Sequence, residues 1–125
     1  MTLAYLCMVL ASVFPFLFAG LAKSDPKRFN NATPRRYLSE LTGWRQRANW
    51  VQQNSFEIFP IFAAAVIVAH LTQGRQALVD GLALTFLISR VGYGLAYLAN
   101  KATLRSLVWV VGLGCILGLY FVSYF

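Results

Sequence analysis

Charged residues are scarce in this chain. Only four of the 125 residues are acidic and eleven are basic, so charged residues make up 12% of the chain, whereas hydrophobic residues make up 58%. A soluble domain usually carries about 25% charged residues, roughly twice this fraction. The composition therefore excludes an ordinary soluble domain and predicts an integral membrane protein.

Potential metal-binding and redox residues are equally few. Cys7 and Cys115 lie in separate apolar segments, no two cysteines are closely spaced, and His70 is the only histidine. This pattern predicts neither a zinc site nor a dithiol redox centre. The net charge is +7, but seven of the eleven basic residues fall between Lys23 and Arg47. They are not spread over a face as nucleic-acid binding requires, so no nucleic-acid partner is expected.

Four apolar runs are long enough to cross a bilayer as helices, at 1.5 Å per residue. They extend over Thr2–Ala22, from about Arg47 to His70, from about Arg75 to Ala99, and over Leu104–Phe125. The first run has no basic residues before it, so we expect a retained helix rather than a cleaved signal peptide. The polar stretch between the first two runs predicts a loop with a short interfacial helix around Arg36–Leu41. The predicted fold is an all-α, antiparallel four-helix membrane bundle that forms a single domain over residues 1–125.

The basic residues also predict an orientation. Nine of the eleven lie in the first loop or the third turn, whereas the turn on the opposite face holds only Arg75. Basic connections remain preferentially in the cytoplasm. We therefore expect both termini outside the cytoplasm.

The second span carries an unusual polar stripe near its cytoplasmic end. Trp50, Gln53, Asn54 and Glu57 follow i, i+3, i+4 and i+7 spacing, which places them on one helical face. A carboxylate within a membrane is costly unless it is paired, and it marks a functional site by default. Glu57 is therefore a candidate site residue.

The third span carries a matching stripe of Arg90, Tyr93, Tyr97 and Lys101. Arg90 and Glu57 are each about ten residues, or roughly 15 Å, from the cytoplasmic end of their helix. Opposite charges at equal depth in a bilayer favour each other as partners, which predicts a Glu57–Arg90 ion pair.

These two stripes predict a polar cleft with a cationic rim at the cytoplasmic interface. The predicted wall residues are Gln53, Asn54, Tyr93 and Tyr97, with Lys101 and Arg105 at the mouth. Such a cleft suits a small anion with carboxylates and amides, or an apolar molecule that enters from the lipid. Equally, Glu57 and Arg90 are interpreted as a structural pair that locks two helices together.

Two segments resemble one family. The segment from Asn54 to Phe62 matches the pattern N-x-x-E-x-x-P-x-F, and so resembles the second-helix signature of the MAPEG family, the membrane-associated proteins in eicosanoid and glutathione metabolism. The segment from Arg90 to Tyr97, followed by Leu104–Ser106, is similar to that family's third helix and the start of its fourth. Length, number of spans and orientation agree over essentially the whole chain.

The resemblance implies a homotrimer that holds glutathione between neighbouring subunits at the cytoplasmic side and acts on lipophilic electrophiles. It implies that Arg105 is the catalytic residue, because the arginine in that place is thought to stabilise the glutathione thiolate. The glutathione contacts that it implies are Gln53, Asn54, Glu57, Arg90, Tyr93 and Tyr97.

The chain departs from this pattern at Trp50, where the glutathione-using members carry an arginine; whether Arg47 replaces it is left open. One alternative is therefore a non-catalytic trimeric membrane protein that binds a lipid or a partner, with Glu57 and Arg90 as a structural pair. A second alternative is a four-helix exporter that uses Glu57 as a proton site. This alternative is disfavoured because Arg90 at the same depth would suppress protonation of Glu57.

Overall fold

The structure, a computed structural model, describes all residues from 1 to 125 and contains helices and no strands. The helices are α1 Leu3–Ala22, α2 Pro34–Ser39, α3 Gly43–Leu71, α4 Gln76–Leu98 and α5 Ala102–Phe121, followed by a 3₁₀ turn at Val122–Tyr124. Four of them, all except α2, are long and apolar enough to cross a membrane. The predicted four-helix membrane bundle is therefore confirmed.

The short helix α2 lies close to the predicted interfacial helix. It begins at Pro34, in the first turn, where the missing N–H of proline costs no helical hydrogen bond. The next helix, α3, begins at Gly43, four residues before the predicted start. The polar residues before the apolar run therefore add a turn to the spanning helix.

The two short turns of the bundle have the same geometry. Gln73 and Asn100, just past the ends of α3 and α4, adopt positive φ angles of 56° and 57°. The next amides, of Gly74 and Lys101, each donate to a carbonyl five residues back at 2.9 Å. These are Schellman motifs, in which a left-handed residue ends the helix and satisfies its last carbonyls. Each motif reverses the chain within a few residues and makes the neighbouring spans antiparallel.

The spans pack as two close pairs, α1 with α3 and α4 with α5, and the pairs contact each other through α3 with α4, α1 with α4, and α3 with α5. Small residues allow the second pair to approach closely. A Cβ atom added at Gly112 would lie 2.9 Å from the Ser89 hydroxyl, and one at Gly118 would lie 3.2 Å from the Leu82 side chain. A side chain at either position would require the Ser89 or Leu82 side chain to shift.

The core consists of two hydrophobic clusters. The larger one holds 15 buried residues, among them Phe62 and Phe86, whose rings stack 3.9 Å apart. The smaller one holds six, among them Phe14 and Tyr93. Arg90, which is buried, lies where the two clusters meet, in contact with a small void lined by members of both. A polar layer thus divides the core at the depth where sequence analysis placed the site.

Candidate functional site

Helix α3 presents two different faces along its first half. Val51, Ser55 and Ile58 are buried and face the other helices. The predicted polar stripe lies on another face, with Gln53 and Glu57 exposed and Asn54 half-buried. The i, i+3, i+4 spacing therefore indicated correctly which residues share a face.

Helix α4 contributes the aromatic wall of the site. Tyr93 is buried and Tyr97 is half-buried, and their rings meet edge to face with centroids 5.6 Å apart. The ring of Trp50 on α3 lies 6.1 Å from that of Tyr97. Aromatic pairs at such distances stabilise one another beyond their burial, so the three rings form a continuous surface between the two helices.

Two adjoining hollows, each of about 320 Å³, open along this surface. Both are lined by Asn54, Tyr93 and Tyr97; one extends to Trp50, Gln53 and Glu57, the other to Arg105, Ser106, Trp109 and Val110. We call the two hollows together the aromatic cleft. Six of the seven predicted site residues line it: Gln53, Asn54, Glu57, Tyr93, Tyr97 and Arg105.

Arg105 is the one basic residue that lines the aromatic cleft. Its guanidinium carbon lies 4.5 Å from the centroid of the Tyr97 ring, a distance at which the ring face attracts a cation. The only ion pairs in the chain join Asp25 to Arg28 and Arg36 to Glu40. Arg105 is therefore held in place by an aromatic ring while its charge stays free of any carboxylate.

The predicted Glu57–Arg90 ion pair is wrong for this chain, since neither residue takes part in an ion pair. Arg90 is only 3% exposed; its Nη2 donates to the Ser55 hydroxyl at 3.0 Å, and its guanidinium stacks on Tyr93 at 4.2 Å. The physical reason is rotation about α3. Glu57 lies two residues, or about 200°, beyond Ser55, so it faces away from the side on which Arg90 inserts. Arg90 thus supports the cleft from behind Tyr93.

Two other basic residues of this region do not line the cleft. Arg47 donates from Nη2 to the carbonyl of Leu98 at 3.2 Å, where α4 ends. A basic side chain there satisfies one of the last helical carbonyls and complements the helix dipole. Lys101, expected at the mouth, is exposed and lies outside both hollows. Arg47 therefore does not bring a positive charge to the part of the cleft where this chain has Trp50.

Sequence reasoning missed Ser55, the partner of Arg90. Its position carried a signal, because it lies four residues after Val51 and three before Ile58, both of which are buried. A small hydroxyl on the buried face of a spanning helix is a natural partner for a charge in the core. Trp109, which lines the outer part of the cleft, had no distinguishing pattern in the sequence, whereas Ser106, which also lines it, lay in the Leu104–Ser106 segment without being predicted as a site residue.

Several buried polar atoms near the cleft have no hydrogen-bond partner. They are Asn54 Oδ1, Gln52 Oε1, Arg47 Nε and Arg90 Nη1. Asn54 Oδ1 belongs to a residue that lines both hollows. Because buried polar groups are normally satisfied, this acceptor is available to a ligand that carries N–H or O–H donors.

Comparison with known proteins agrees with this architecture. The family model described as the MAPEG family matches residues 1–125, the whole chain. No curated protein and no solved structure matches the chain.

Proposed function

The chain belongs to the MAPEG family, and on that premise we propose that it is a glutathione-dependent transferase or peroxidase that acts on lipophilic electrophiles within the membrane. The single observation that carries the proposal is Arg105. Its guanidinium lines the aromatic cleft, rests on Tyr97 at 4.5 Å, and has no carboxylate partner.

The cleft residues suit a peptide thiol. Asn54 offers an acceptor that is buried and unpartnered, Arg105 offers a cation, and Tyr97 offers a hydroxyl. Glutathione has amide N–H groups for the first and anionic groups for the second, and when bound it would supply the thiol nucleophile. Trp50 adds an apolar wall of which 40% is exposed, suited to the hydrocarbon part of a second substrate.

Arg105 would act by favouring a thiolate over a thiol through direct charge pairing. Arg105 lies in the first turn of α5, which begins at Ala102, so the positive end of the helix dipole adds to its charge. A tenfold gain in thiolate corresponds to about 1.4 kcal/mol, which is within the range of one charge-assisted contact. The protein itself then needs no nucleophile of its own.

Formation of a homotrimer is part of the proposal. Trp50, Gln53 and Glu57 are all exposed on the side of a membrane-spanning helix. A carboxylate facing hydrocarbon is costly, and a neighbouring subunit would cover it and complete the cleft. We expect native mass measurement in mild detergent to give three chains; a protein that is only monomeric or dimeric would exclude this assembly.

The proposed orientation places the cleft at the cytoplasmic face. The first loop, the turn between α4 and α5, and the adjoining starts of α3 and α5 lie at the cleft end of the bundle and together hold nine of the eleven basic residues. A reporter fused after Phe125 should be active only on the non-cytoplasmic side. Activity of that fusion in the cytoplasm would reverse the assignment.

A second candidate function is non-catalytic binding of a lipid or partner by the same cleft. Trp50 favours it, because an exposed aromatic ring binds an acyl chain more readily than an anionic peptide. The two candidates differ in ligand: calorimetric titration of the wild type should show glutathione binding at millimolar concentration under the first and none under the second.

The test of the first candidate is Arg105→Ala, with Lys101→Ala as the control for loss of a nearby cation. We expect Arg105→Ala to lower thiolate absorbance and conjugation of a model electrophile at least tenfold while keeping most glutathione binding. Lys101→Ala should change either less than twofold, since Lys101 lies outside the cleft. Unchanged thiolate in Arg105→Ala would remove the role assigned to Arg105. If the wild-type protein neither binds nor conjugates glutathione, the first candidate is excluded and non-catalytic binding of a lipid or partner remains.

A further inference from the structure

The first loop, residues 23–42, is folded against the end of α1. Tyr37 is buried and donates its hydroxyl to the carbonyl of Ala22 at 2.8 Å, and its ring meets that of Phe29 edge to face at 5.2 Å. At the start of α3, Arg45 Nε donates to the Ser24 hydroxyl at 3.1 Å. These contacts tie both ends of the loop and its short helix α2 to the bundle, so the loop presents a defined surface.

This surface contains a hollow of about 570 Å³, larger than either part of the aromatic cleft. Eight of its ten lining residues are polar, and three are the arginines Arg28, Arg36 and Arg45. It shares no lining residue with the aromatic cleft. We call this hollow the arginine basin.

The lining of the arginine basin carries three arginines and two carboxylates, a net charge of +1, and its two ion pairs are weak. Asp25 pairs with Arg28 at 3.8 Å and Glu40 pairs with Arg36 at 3.2 Å, with both arginine side chains about 80% exposed. Exposed pairs of this kind contribute little and exchange readily. Arg45 has no carboxylate partner within 4.0 Å. The stretch from Lys23 to Arg47 holds seven basic residues and two acidic ones, a net charge of +5.

We propose that the arginine basin binds the phosphate of an anionic phospholipid headgroup. Arginine pairs with phosphate oxygens through two parallel N–H bonds. Several arginines around one hollow can bind the oxygens of one phosphodiester together, which a single carboxylate does not allow. The loop joins two membrane spans, so the basin lies at the level of the headgroups, where basic clusters next to spanning helices attract anionic lipids. This site is independent of the proposed enzymatic function.

The test compares neighbouring residues inside and outside the basin. The basin variant combines Arg28→Gln with Arg36→Gln, and the control combines Lys27→Gln with Arg35→Gln. Each control position is adjacent in sequence to a basin arginine, lies outside the basin, and removes the same charge. Full-length protein in detergent is titrated with phosphatidylglycerol and bound lipid is counted by native mass spectrometry. We expect about tenfold weaker binding for the basin variant and less than twofold for the control.

The alternatives give different results. An equal loss of phosphatidylglycerol binding in the basin and control variants would mean general attraction between a basic face and anionic lipid. It would overturn the proposal of a specific site. Phosphatidylcholine binding as tightly as phosphatidylglycerol would overturn the preference for an anionic headgroup. Inorganic phosphate binding to lipid-free protein as tightly as phosphatidylglycerol would identify the occupant as a soluble anion and overturn the lipid assignment.

A variant with the opposite expected sign guards against loss through misfolding. Glu40→Gln removes the carboxylate that pairs with Arg36 at 3.2 Å. Because the lipid phosphate would compete with that carboxylate, we expect binding of phosphatidylglycerol to strengthen about two- to fivefold. Unchanged or weaker binding in Glu40→Gln would count against the basin as the site.

Discussion

The polar groups at one end of the bundle have hydrogen-bond partners within the chain, whereas several of those at the other end have none. We call the end at which α1 and α4 begin and α3 ends the closed end. There Asp80 Oδ1 accepts from the backbone N–H of Ala4 at 2.9 Å and from Gln76 Nε2 at 2.7 Å. A carboxylate of one helix thus satisfies a free amide in the first turn of another, which would otherwise lack a partner.

His70 completes the closed end. Its Nδ1 lies 2.8 Å from the carbonyl of Val66, its Nε2 lies 3.3 Å from the Thr2 hydroxyl, and its ring stacks on Tyr5 at 4.2 Å. Asp80 and His70 thus each join the start of α1 to another helix and stabilise the bundle.

The half of the bundle that holds the aromatic cleft differs. All four buried polar atoms without a partner belong to the first half of α3 or the second half of α4. Proteins rarely leave such atoms unpaired without a ligand, a water molecule or a neighbouring chain to satisfy them. The same helices therefore provide stability at one end and unsatisfied binding capacity at the other.

The largest expected effect is on stability at the closed end. Asp80→Ala leaves the amide of Ala4 without its acceptor, which should cost about 1–3 kcal/mol of unfolding free energy. Glutathione affinity of the folded protein should stay within twofold, measured by calorimetry beside thermal unfolding in detergent. The control Gln76→Ala removes only the second donor and should cost less than half as much. A cleft that loses affinity in Asp80→Ala would show that the two ends are not separable.

The converse variant is Asn54→Leu in the cleft. Its side-chain oxygen has no partner in the chain, so replacement by an apolar group of similar size should leave the unfolding midpoint unchanged or raise it. Affinity for glutathione should fall about tenfold, or about 1.4 kcal/mol, in calorimetric titration. Loss of stability without loss of affinity would mean that Asn54 is structural and that the two ends of the bundle do not differ in this way.

A smaller effect is expected at the ring beneath Arg105. Tyr97→Leu removes the ring face, worth about 0.5–1 kcal/mol, and should lower thiolate absorbance two- to fivefold. Tyr97→Phe keeps that face and should stay within twofold of the wild type. If Tyr97→Leu and Tyr97→Phe lower thiolate absorbance equally, the hydroxyl rather than the ring supports Arg105.

Sequence alone predicted what depends on length and periodicity. The spans followed from apolar runs, and the shared face of Gln53, Asn54 and Glu57 followed from helical spacing. The partner of Arg90 did not follow, because counting residues gives depth along a helix axis but not rotation about it. Depth placed Glu57 and Arg90 together, whereas packing of α3 turned Ser55 toward Arg90 instead. The hydrogen bond from Arg47 to the carbonyl of Leu98 did not follow either, because it depends on how α3 packs beside α4, although the end of α4 was predicted to within one residue.

The smallest expected effect is the coupling between Glu57 and Arg90. In a double-mutant cycle of Glu57→Gln and Arg90→Gln, the two residues should not interact. The changes in unfolding free energy of the single variants should therefore sum to that of the double variant within about 0.5 kcal/mol. The matched cycle of Ser55→Ala and Arg90→Gln removes both ends of a 3.0 Å buried hydrogen bond to a charge, so it should show coupling of about 1–2 kcal/mol. Both cycles use the assembled protein in detergent with thermal or denaturant unfolding. Strong Glu57–Arg90 coupling with none between Ser55 and Arg90 would mean that Arg90 faces a carboxylate after all. Arg90 would then belong to the surface of the aromatic cleft and not to the core that stabilises the bundle.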